Sequence, residues 1–422
     1  MKEQNQTDKN LIDKAYFWNT IAGLLNAGQS FFFMVVITRS CGLTEAGIFS
    51  YSFANASLFL CIGKYGMKKF QATDLKEEYI FSEYFFSRVI TTSVMLICII
   101  FSVLFKNEEY SLHKSAIIII VGLIKMVDSF DDVFICAFQQ KKQLDIGARN
   151  SCFRNSVMLA ASILIILITR NMLLGLTAGF ILSVILLIYL NIKNFKNFNN
   201  KKNTFMQKKN VIKLLWVNFP LVVGDFLTVY IMNSPKYAID KCLTEEMQAI
   251  YGIIAMPITA ITLFSEFAFN PVLVTFSECW IDKNKNKFIH LFIKQIMLVF
   301  IFTAFTLFIG YWIGIPILTM IYGIDITFYK KELMLLLLGG GLTAIYSFLY
   351  SLTVCIRQQK AVIPVFGSVA LIVVSFSTAF ISNWELMGAV LLYISTAGLL
   401  MIAFGSVIII KILGFKSLSC GG

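Results

Sequence analysis

The sequence is poor in charge, in histidine and in closely spaced cysteine. Only 14% of its 422 residues are charged, whereas a soluble domain carries roughly a quarter. A chain with so few charges cannot cover its own surface in water. Its two histidines lie far apart, and its nine cysteines are scattered singly with no CxxC pair. These absences argue against a zinc site or a disulfide framework, and we expect no metal and no cofactor.

Apolar residues take the place of the missing charge. They make up 58% of the chain, the mean hydropathy is +0.76, and runs such as 296–309 are long and continuous. A membrane-spanning helix needs roughly 20 mainly apolar residues, and lipid forces the backbone to satisfy its own hydrogen bonds. Barrel strands would alternate apolar and polar residues over about 10 positions, which this chain does not do. The sequence therefore predicts an all-α integral membrane protein.

The apolar windows and the polar breaks between them predict about twelve transmembrane helices. The predicted spans are 16–38, 46–67, 84–105, 115–137, 150–169, 173–192, 213–235, 248–275, 289–313, 333–354, 362–382 and 386–410. An even number of spans places both termini on the same side of the membrane. The first fifteen residues are polar and do not resemble a cleavable signal, so we expect the N-terminus to be retained.

The basic residues decide which side that is. Of the 36 lysines and arginines, 27 fall on the side of the N-terminus and 8 on the opposite side. Lysine and arginine in short loops resist translocation, so both termini are predicted to be cytoplasmic. The same residues account for the net charge of +12. They border helices at the level of the lipid headgroups, and nucleic acid is not an expected partner.

The chain divides at its longest polar stretch into two halves of six spans. We predict an N-terminal lobe at 1–192, a basic cytoplasmic linker at 193–213 and a C-terminal lobe at 214–422. A weak repeat supports this division, because RSCGLTEAGIFSY at the exit of the first span resembles DKCLTEEMQAIYGI at the exit of the seventh. The two copies have the same orientation, which indicates two parallel six-helix bundles with a substrate path between them.

Several charged residues lie inside the predicted spans. Lys125, Asp128 and Asp132 share one face of the fourth span. A charge at the bilayer centre costs roughly 2.5–3.5 kcal/mol, so it usually has a partner or faces water. The face is either a self-paired polar seam or the lining of a hydrated cavity. Asp225 follows Pro220 in the seventh span and is either an ion or proton site or a hydrogen-bonded structural carboxylate.

Arginines at the ends of spans form a second group of candidates. Arg88, Arg149, Arg154 and Arg357 lie at the predicted cytoplasmic ends. The planar guanidinium suits phosphate oxygens, so together they are candidates for a pyrophosphate site. The alternative is ordinary anchoring, with each side chain extended to the headgroups. Arg39 lies on the side where basic residues are rare and is a candidate for an outer anion contact.

The loops give no sign of an enzyme. They are mostly short, which leaves no room for the extramembrane domain that a membrane glycosyltransferase or polymerase needs. No Walker A motif, kinase motif set or acyl-transfer triad is present. The sequence therefore favours a transporter.

Two stretches carry a resemblance to a known family. They are WNTIAGLLNAGQSFFFMVVITRSCGLTEAGIFSYSFA at 18–54 and PKYAIDKCLTEEMQAIYGIIAMP at 235–257. Both resemble the Wzx-type polysaccharide flippases of the multidrug/oligosaccharidyl-lipid/polysaccharide (MOP) superfamily. The resemblance extends over nearly the whole chain in length, span number and division into halves. It implies two six-helix lobes around a V-shaped, alternately open cavity, as in the related multidrug (MATE-type) exporters. It also implies flipping of undecaprenyl-diphosphate-linked oligosaccharide from the cytoplasmic to the outer leaflet.

The resemblance also implies site residues, partners and a location. Arg39 and Arg88 match basic positions that are taken to hold the lipid diphosphate in such flippases, with Arg149, Arg154 and Arg357 as further candidates. The implied partners are the lipid-linked oligosaccharide and membrane lipids, with a polysaccharide polymerase and other assembly proteins as candidates. The implied location is the bacterial cytoplasmic (inner) membrane.

Two alternatives stay open. The first is a cation-coupled multidrug exporter of the same superfamily, which commonly uses an aspartate in the first span. Residues 16–38 contain no acidic residue, although Asp128 and Asp225 are buried carboxylate candidates elsewhere. The second is a flippase for a lipid-linked peptidoglycan precursor, which typically has more than twelve spans.

Overall fold

A computed structural model of the chain describes residues 2–74, 78–106, 108–141, 143–198 and 206–413. Within these ranges the side chains of 2–13, 15–16, 69, 73 and 192–198 are not described. All regular secondary structure of the described residues is helical. The α-helices are α1 (Lys2–Cys41), α2 (Leu43–Lys64), α3 (Met67–Thr73), α4 (Phe81–Leu104), α5 (Leu112–Gln140), α6 (Leu144–Thr169), α7 (Met172–Phe198), α8 (Lys208–Cys242), α9 (Glu245–Phe269), α10 (Leu273–Ile281), α11 (Lys285–Ile309), α12 (Ile315–Tyr322), α13 (Lys330–Cys355) and α14 (Val362–Leu413).

These helices confirm the predicted all-α membrane protein. In the described residues ten helical segments are long and apolar enough to cross a membrane. Helix α5 is long enough but is not among the ten, because Lys125 and three aspartates interrupt its middle. Helix α14 has 52 residues and would be nearly 80 Å long if straight, more than twice the hydrocarbon thickness. Adding α5 to the ten segments, and counting α14 as two spans, gives the twelve predicted spans.

The chain reverses in the middle of α14. Glu385 has φ 48° and ψ −130°, which no helix accommodates. A Cβ atom at Gly388 would overlap the carbonyl oxygen of Phe380 and lie 3.0 Å from the Cα atom of Ile381. Residues eight apart in a straight helix are about 12 Å apart, so this approach requires a hairpin. The two arms, 362–384 and 386–413, correspond to the predicted last two spans.

The two copies of the sequence repeat adopt the same local structure. In the first copy α1 ends at Cys41 and α2 begins at Leu43, with Gly42 at φ 97° between them. In the second copy α8 ends at Cys242 and α9 begins at Glu245. Thr244 caps α9 by accepting a hydrogen bond from the backbone N–H of Met247. Each copy is therefore a helix, a sharp break and a second helix.

The chain forms two compact units, Met1–Phe226 and Leu227–Gly422, which we call the first and second units. The boundary lies within α8 and not in the predicted linker at 193–213, of which residues 199–205 lie outside the described ranges. The buried carboxylate of Glu83 explains why the start of α8 belongs to the first unit. Its Oε1 accepts hydrogen bonds from the backbone N–H of Gln207 at 3.1 Å and from Asn210 Nδ2 at 2.8 Å.

Each unit is built around one central helix. In the first unit α5 packs against α2, α4, α6 and α7. In the second unit α13 packs against α9, α11 and α14. These two helices contain the fourth predicted span of each half, so the same position in each half provides the central helix. Their sequences differ in kind, since α5 is charged in its middle whereas α13 reads LLLLGGGLTAIYSF.

The second unit has an apolar core. Six fully or almost fully buried phenylalanines form its centre, and Gly341 lets α13 approach α11 so closely that a Cβ would lie 2.5 Å from Thr303 Cγ2. The phenylalanines are Phe269, Phe276, Phe288, Phe348, Phe366 and Phe404. Among the described residues, no charged side chain of the second unit is buried. The buried charges of the described chain are therefore all in the first unit.

Candidate functional site

Among the described residues, eight charged side chains are buried in the first unit, and six of them form one network. The six are Arg88, Lys125, Asp128, Asp131, Asp132 and Arg154. Four stand on α5, one on α4 and one on α6. Since α5 is the central helix of the unit, its polar face meets side chains from several neighbouring helices.

Arg88 ties α4 to both α5 and α2. Its Nη2 donates to Asp132 Oδ2 at 3.3 Å, and its Nη1 donates to the carbonyl oxygen of Gly63 at 2.7 Å. Thr91 Oγ1 donates to the same carbonyl at 2.9 Å. Gly63 lies in the last turn of α2, where carbonyl groups have no partner within the helix. Arg88 therefore stabilises the end of α2 as well as the carboxylate.

Lys125 connects α5 to α1. Its Nζ donates to Gln29 Oε1 at 2.5 Å and to Asp128 Oδ2 at 3.2 Å, and it stands 4.5 Å from the centroid of the Phe53 ring. The contact with Asp128 is the one-turn pair that the spacing in the sequence predicts. The self-paired interpretation of this face thus applies to Lys125.

Arg154 connects α6 to α5 and α7. Its Nη2 donates to Asp128 Oδ1 at 2.7 Å and to Asp131 Oδ2 at 3.4 Å, while its Nη1 donates to Ser183 Oγ at 2.5 Å. Charge-assisted bonds of this length are among the stronger hydrogen bonds in proteins. Asp128 is therefore shared by two cations, Lys125 and Arg154.

The network is balanced in formal charge. Three cationic side chains face three carboxylates, and each cation lies within 3.4 Å of at least one carboxylate oxygen. Such pairing is what makes the burial of charge tolerable, because an isolated charge would pay its full desolvation cost. Among the described residues, the Nε atoms of Arg88 and Arg154 are buried with no hydrogen-bond partner. Each guanidinium therefore has at least one donor that the network does not use.

A cavity of about 340 Å³ borders the network. Its described lining consists of Asn26, Ala27, Phe53, Ser57, Leu60, Lys64, Lys68, Lys125, Asp128, Asp131, Asp132, Ile135, Ser151 and Arg154. Lys64 ends α2 and Lys68 lies in α3, on the side of the membrane predicted to be cytoplasmic. With these two lysines, the lining and Arg88 together carry five cations and three carboxylates. The polar face of α5 therefore lines a cavity and is also paired internally. The two interpretations from the sequence are thus compatible.

The structure brings together five of the nine residues singled out from the sequence. Arg88, Lys125, Asp128, Asp132 and Arg154 all belong to the network. Arg88 and Arg154 are 0% and 1% exposed, so they do not extend from open helix ends as a pyrophosphate site predicts. Both are held by carboxylates, and their direct contact with a phosphate stays a prediction.

The other four predicted site residues lie elsewhere. Arg39, Arg149 and Asp225 are exposed and are not among the described residues that line the cavity. Arg357 is exposed in the second unit, just after α13, with φ 58°. Their roles in substrate binding or coupling stay predictions. A guanidinium at a helix end reaches solvent or headgroups unless a neighbouring helix offers it a carboxylate, as α5 does for Arg88 and Arg154.

Sequence reasoning missed Asp131, Gln29 and Ser183. Asp131 is three residues after Asp128 and so shares its helix face, a signal that could have been used. Gln29 and Ser183 lie 96 and 29 residues from their partners Lys125 and Arg154. No pattern along the sequence predicts those contacts, because they depend on how α1 and α7 pack.

The fold and family are shown by comparison with known proteins. The family described as polysaccharide biosynthesis protein matches residues 12–274, which include both stretches that carry the resemblance. No curated protein sequence matches the chain.

Three solved structures have similar folds. A lipid II flippase, MurJ, in an inward closed conformation has a TM-score of 0.69 at 16% identity, over 94% of this chain and 89% of that one. An inward-facing multidrug resistance MATE family transporter of the MOP superfamily has a TM-score of 0.67 at 12% identity, over 93% and 96%. A MOP superfamily transporter from Pyrococcus furiosus, described by the reverse polarity of its binding pocket, has a TM-score of 0.58 at 11% identity, over 97% of each chain.

At these identities the structures show the fold alone, and they confirm the predicted MOP-type fold. The family match extends over more than half of the chain. The chain therefore belongs to the polysaccharide biosynthesis protein family and has the fold of the MOP superfamily transporters.

Proposed function

We propose that this protein is a flippase that moves undecaprenyl-diphosphate-linked oligosaccharide from the cytoplasmic to the outer leaflet by alternating access. The observation that supports it most is the cavity of the first unit, where Lys64 and Lys68 add positive charge to a network that is otherwise balanced. An anionic headgroup would be attracted to such a cavity. The family to which the chain belongs acts in polysaccharide biosynthesis, and a flippase would supply that process with lipid-linked sugars on the outer leaflet.

The proposed mechanism uses three features of the substrate. The diphosphate is attracted to the basic cavity, the sugars occupy water-filled space, and the prenyl tail stays in lipid. Both termini and the basic loops face the cytoplasm, where the substrate is made, and the protein resides in the bacterial cytoplasmic membrane. Asp128, Asp132 and Asp225 are the candidates for coupling transport to protons. The membrane potential also favours outward movement of an anion, by about 2.3 kcal/mol per charge per 100 mV.

The multidrug exporter is less well supported. A cationic drug needs an unpaired carboxylate, but Asp128, Asp131 and Asp132 each accept a bond from an arginine. The transporter from Pyrococcus furiosus illustrates that pocket polarity varies within the superfamily, since the reverse polarity of its binding pocket suggests a different function for it. In this chain the described cavity lining and Arg88 together have more cations than carboxylates, which favours an anionic substrate.

A transport assay in vesicles tests the proposal. The purified protein is reconstituted with a fluorescent undecaprenyl-diphosphate-linked oligosaccharide, and a membrane-impermeant quencher reports how much of it lies in the outer leaflet. We expect the protein to accelerate exchange between leaflets relative to protein-free vesicles. Parallel vesicles with a lipid-linked peptidoglycan precursor distinguish the two flippase functions. Absence of acceleration, together with increased cellular resistance to cationic dyes, would replace the proposal with the exporter.

A further inference from the structure

We propose that Lys64 and Lys68 bind the diphosphate of the substrate, and that the buried Arg88 positions Lys64 for this task. The inference rests on the proposed function and names the residues of the cavity that carry it out. It differs from the prediction made from the sequence, in which arginines at helix ends contact the phosphates. The two predictions differ because the aspartates of the first unit pair with the buried arginines.

The buried cations are already engaged. Arg88 is bonded to Asp132, and Lys125 and Arg154 are both bonded to Asp128. A cation whose charge is neutralised at 2.7–3.3 Å offers little net attraction to a second anion. Phosphate would have to displace the carboxylate, which would then be left buried without a partner, at a large free-energy cost. These side chains are therefore poor first ligands for a diphosphate.

The two lysines are in a different position. Lys64 makes no ion pair or hydrogen bond within the part of the chain that the structure describes. Lys68 is 53% exposed, and its Nζ lies 4.0 Å from Asp132 Oδ1, a carboxylate that already accepts a hydrogen bond from Arg88. Both lysines line the cavity. They therefore contribute two positive charges beyond those that the three aspartates balance.

The break between α2 and α3 places these lysines at the cavity. Tyr65 and Gly66 both adopt the left-handed conformation, with φ 51° and 60°, so the chain turns sharply between Lys64 and Lys68. A Cβ at Gly66 would lie 2.9 Å from Leu221 Cβ, so the turn packs tightly against α8. The turn therefore has little freedom to move the lysines away.

Arg88 holds the other side of the same turn. Its bond to the carbonyl oxygen of Gly63 fixes the residue directly before Lys64. A Cβ atom added at Gly63 would lie only 2.7 Å from Met95 Sδ. Helix α2 therefore packs tightly against α4 at this point. We infer that Arg88 acts on the substrate through the position of Lys64 and without touching it.

The ligand that fits is a diphosphate esterified at both ends. Such a group carries one negative charge on each phosphorus and thus matches the two surplus lysines. Ligand pockets typically have volumes of about 300–1,000 Å³, and the cavity of about 340 Å³ is large enough for a diphosphate. Lysine ammonium is a compact charge with three donors, and it is a common phosphate ligand.

Binding of an isoprenoid diphosphate to the purified protein in detergent tests the inference. The probe is farnesyl diphosphate, with inorganic pyrophosphate as a second probe. We expect the K64Q/K68Q double variant to bind about a hundredfold more weakly, roughly tenfold for each lost charge-assisted hydrogen bond. We expect K64R/K68R to bind within about threefold of the unaltered protein, because the charge is kept.

The matched control is K209Q/K213Q. It removes the same charge from exposed positions of the same unit that are not among the described lining residues. It should bind within about twofold of the unaltered protein, since exposed charges outside the cavity are screened by salt. Melting temperatures of all variants show whether each one is folded.

The outcomes for the inference and for the proposed function are separate. Equal binding by K64Q/K68Q and the unaltered protein, or no binding by either, overturns the inference. An equal loss in K209Q/K213Q also overturns it, because the effect would then be general electrostatics. The vesicle assay judges the flippase function independently, and transport by K64Q/K68Q at the normal rate would leave that function standing while removing the lysine site.

Discussion

The guanidinium of Arg88 lies 3.3 Å from the carboxylate of Asp132, and neither side chain is more than 4% exposed. The two residues are 44 positions apart in sequence and join α4 to the central helix α5. The same guanidinium holds the carbonyl oxygen of Gly63 at the end of α2. One arginine thus fixes three helices of the first unit relative to each other, beside the cavity that we propose receives the substrate.

This pair should be important for stability. Asp132→Ala leaves Arg88 buried with the backbone carbonyl of Gly63 as its remaining hydrogen-bond acceptor. Loss of one partner of a buried pair costs roughly 3–5 kcal/mol, so we expect the melting temperature in detergent to fall markedly. The R88M/D132L double variant should be less destabilised than D132A, because no charge is left unpaired. A double variant as unstable as the single one would contradict this account of the pair.

The two partners of Asp128 should differ in importance. Arg154→Met removes the arginine from Asp131 and one of the two cations from Asp128, whereas Lys125→Met leaves both carboxylates bonded to Arg154. We therefore expect R154M to lower the free energy of unfolding more than K125M, by roughly 2 kcal/mol or more. Thermal unfolding of the two variants in the same detergent measures the difference. Equal melting temperatures would show that Asp131 does not depend on Arg154.

The hairpin within α14 should depend on one glycine. Gly388→Ala would put a methyl group onto the backbone of Phe380, which cannot move aside as a side chain could. We expect a loss of about 3 kcal/mol or more, in the range of strained or overpacked core substitutions. Gly398→Ala is the control, because nothing lies within 4 Å of its added Cβ. It should stabilise the helix by up to about 1 kcal/mol, and a similar loss in both variants would argue against the hairpin.

The predicted orientation can be tested with single cysteines. In a variant lacking the nine native cysteines, Lys283→Cys should react with a membrane-impermeant maleimide only when the cytoplasmic face is accessible. Lys331→Cys should react from the outside of intact cells. Both positions are exposed, and the expectation follows from the 27 to 8 distribution of basic residues. The reverse labelling pattern would place both termini outside and invert the proposed direction of transport.

The spans were predictable because hydropathy is a local property. Lipid leaves the backbone only its own groups as hydrogen-bond partners, so a run of about 20 apolar residues predicts a helix without knowledge of its neighbours. Even the last two spans, which are the two arms of the α14 hairpin, were separable at the polar residues Ser382, Asn383 and Glu385. The boundary of the first unit was less predictable, because it depends on the contact between Glu83 and the start of α8.

The candidate site was predictable in part. The sequence by itself determined that Lys125, Asp128 and Asp132 share one face of a buried helix, because the helical period is fixed. The sequence also showed that these charges lie in a membrane span, where an unpaired charge has a high free-energy cost. They were therefore expected to have partners. Only the tertiary structure decided which partners these are, since Arg88, Arg154 and Gln29 arrive from other helices. For the same reason only the tertiary structure distinguished Arg88 and Arg154, which carboxylates neutralise, from Lys64, which makes no ion pair within the described residues and which we propose binds an anion.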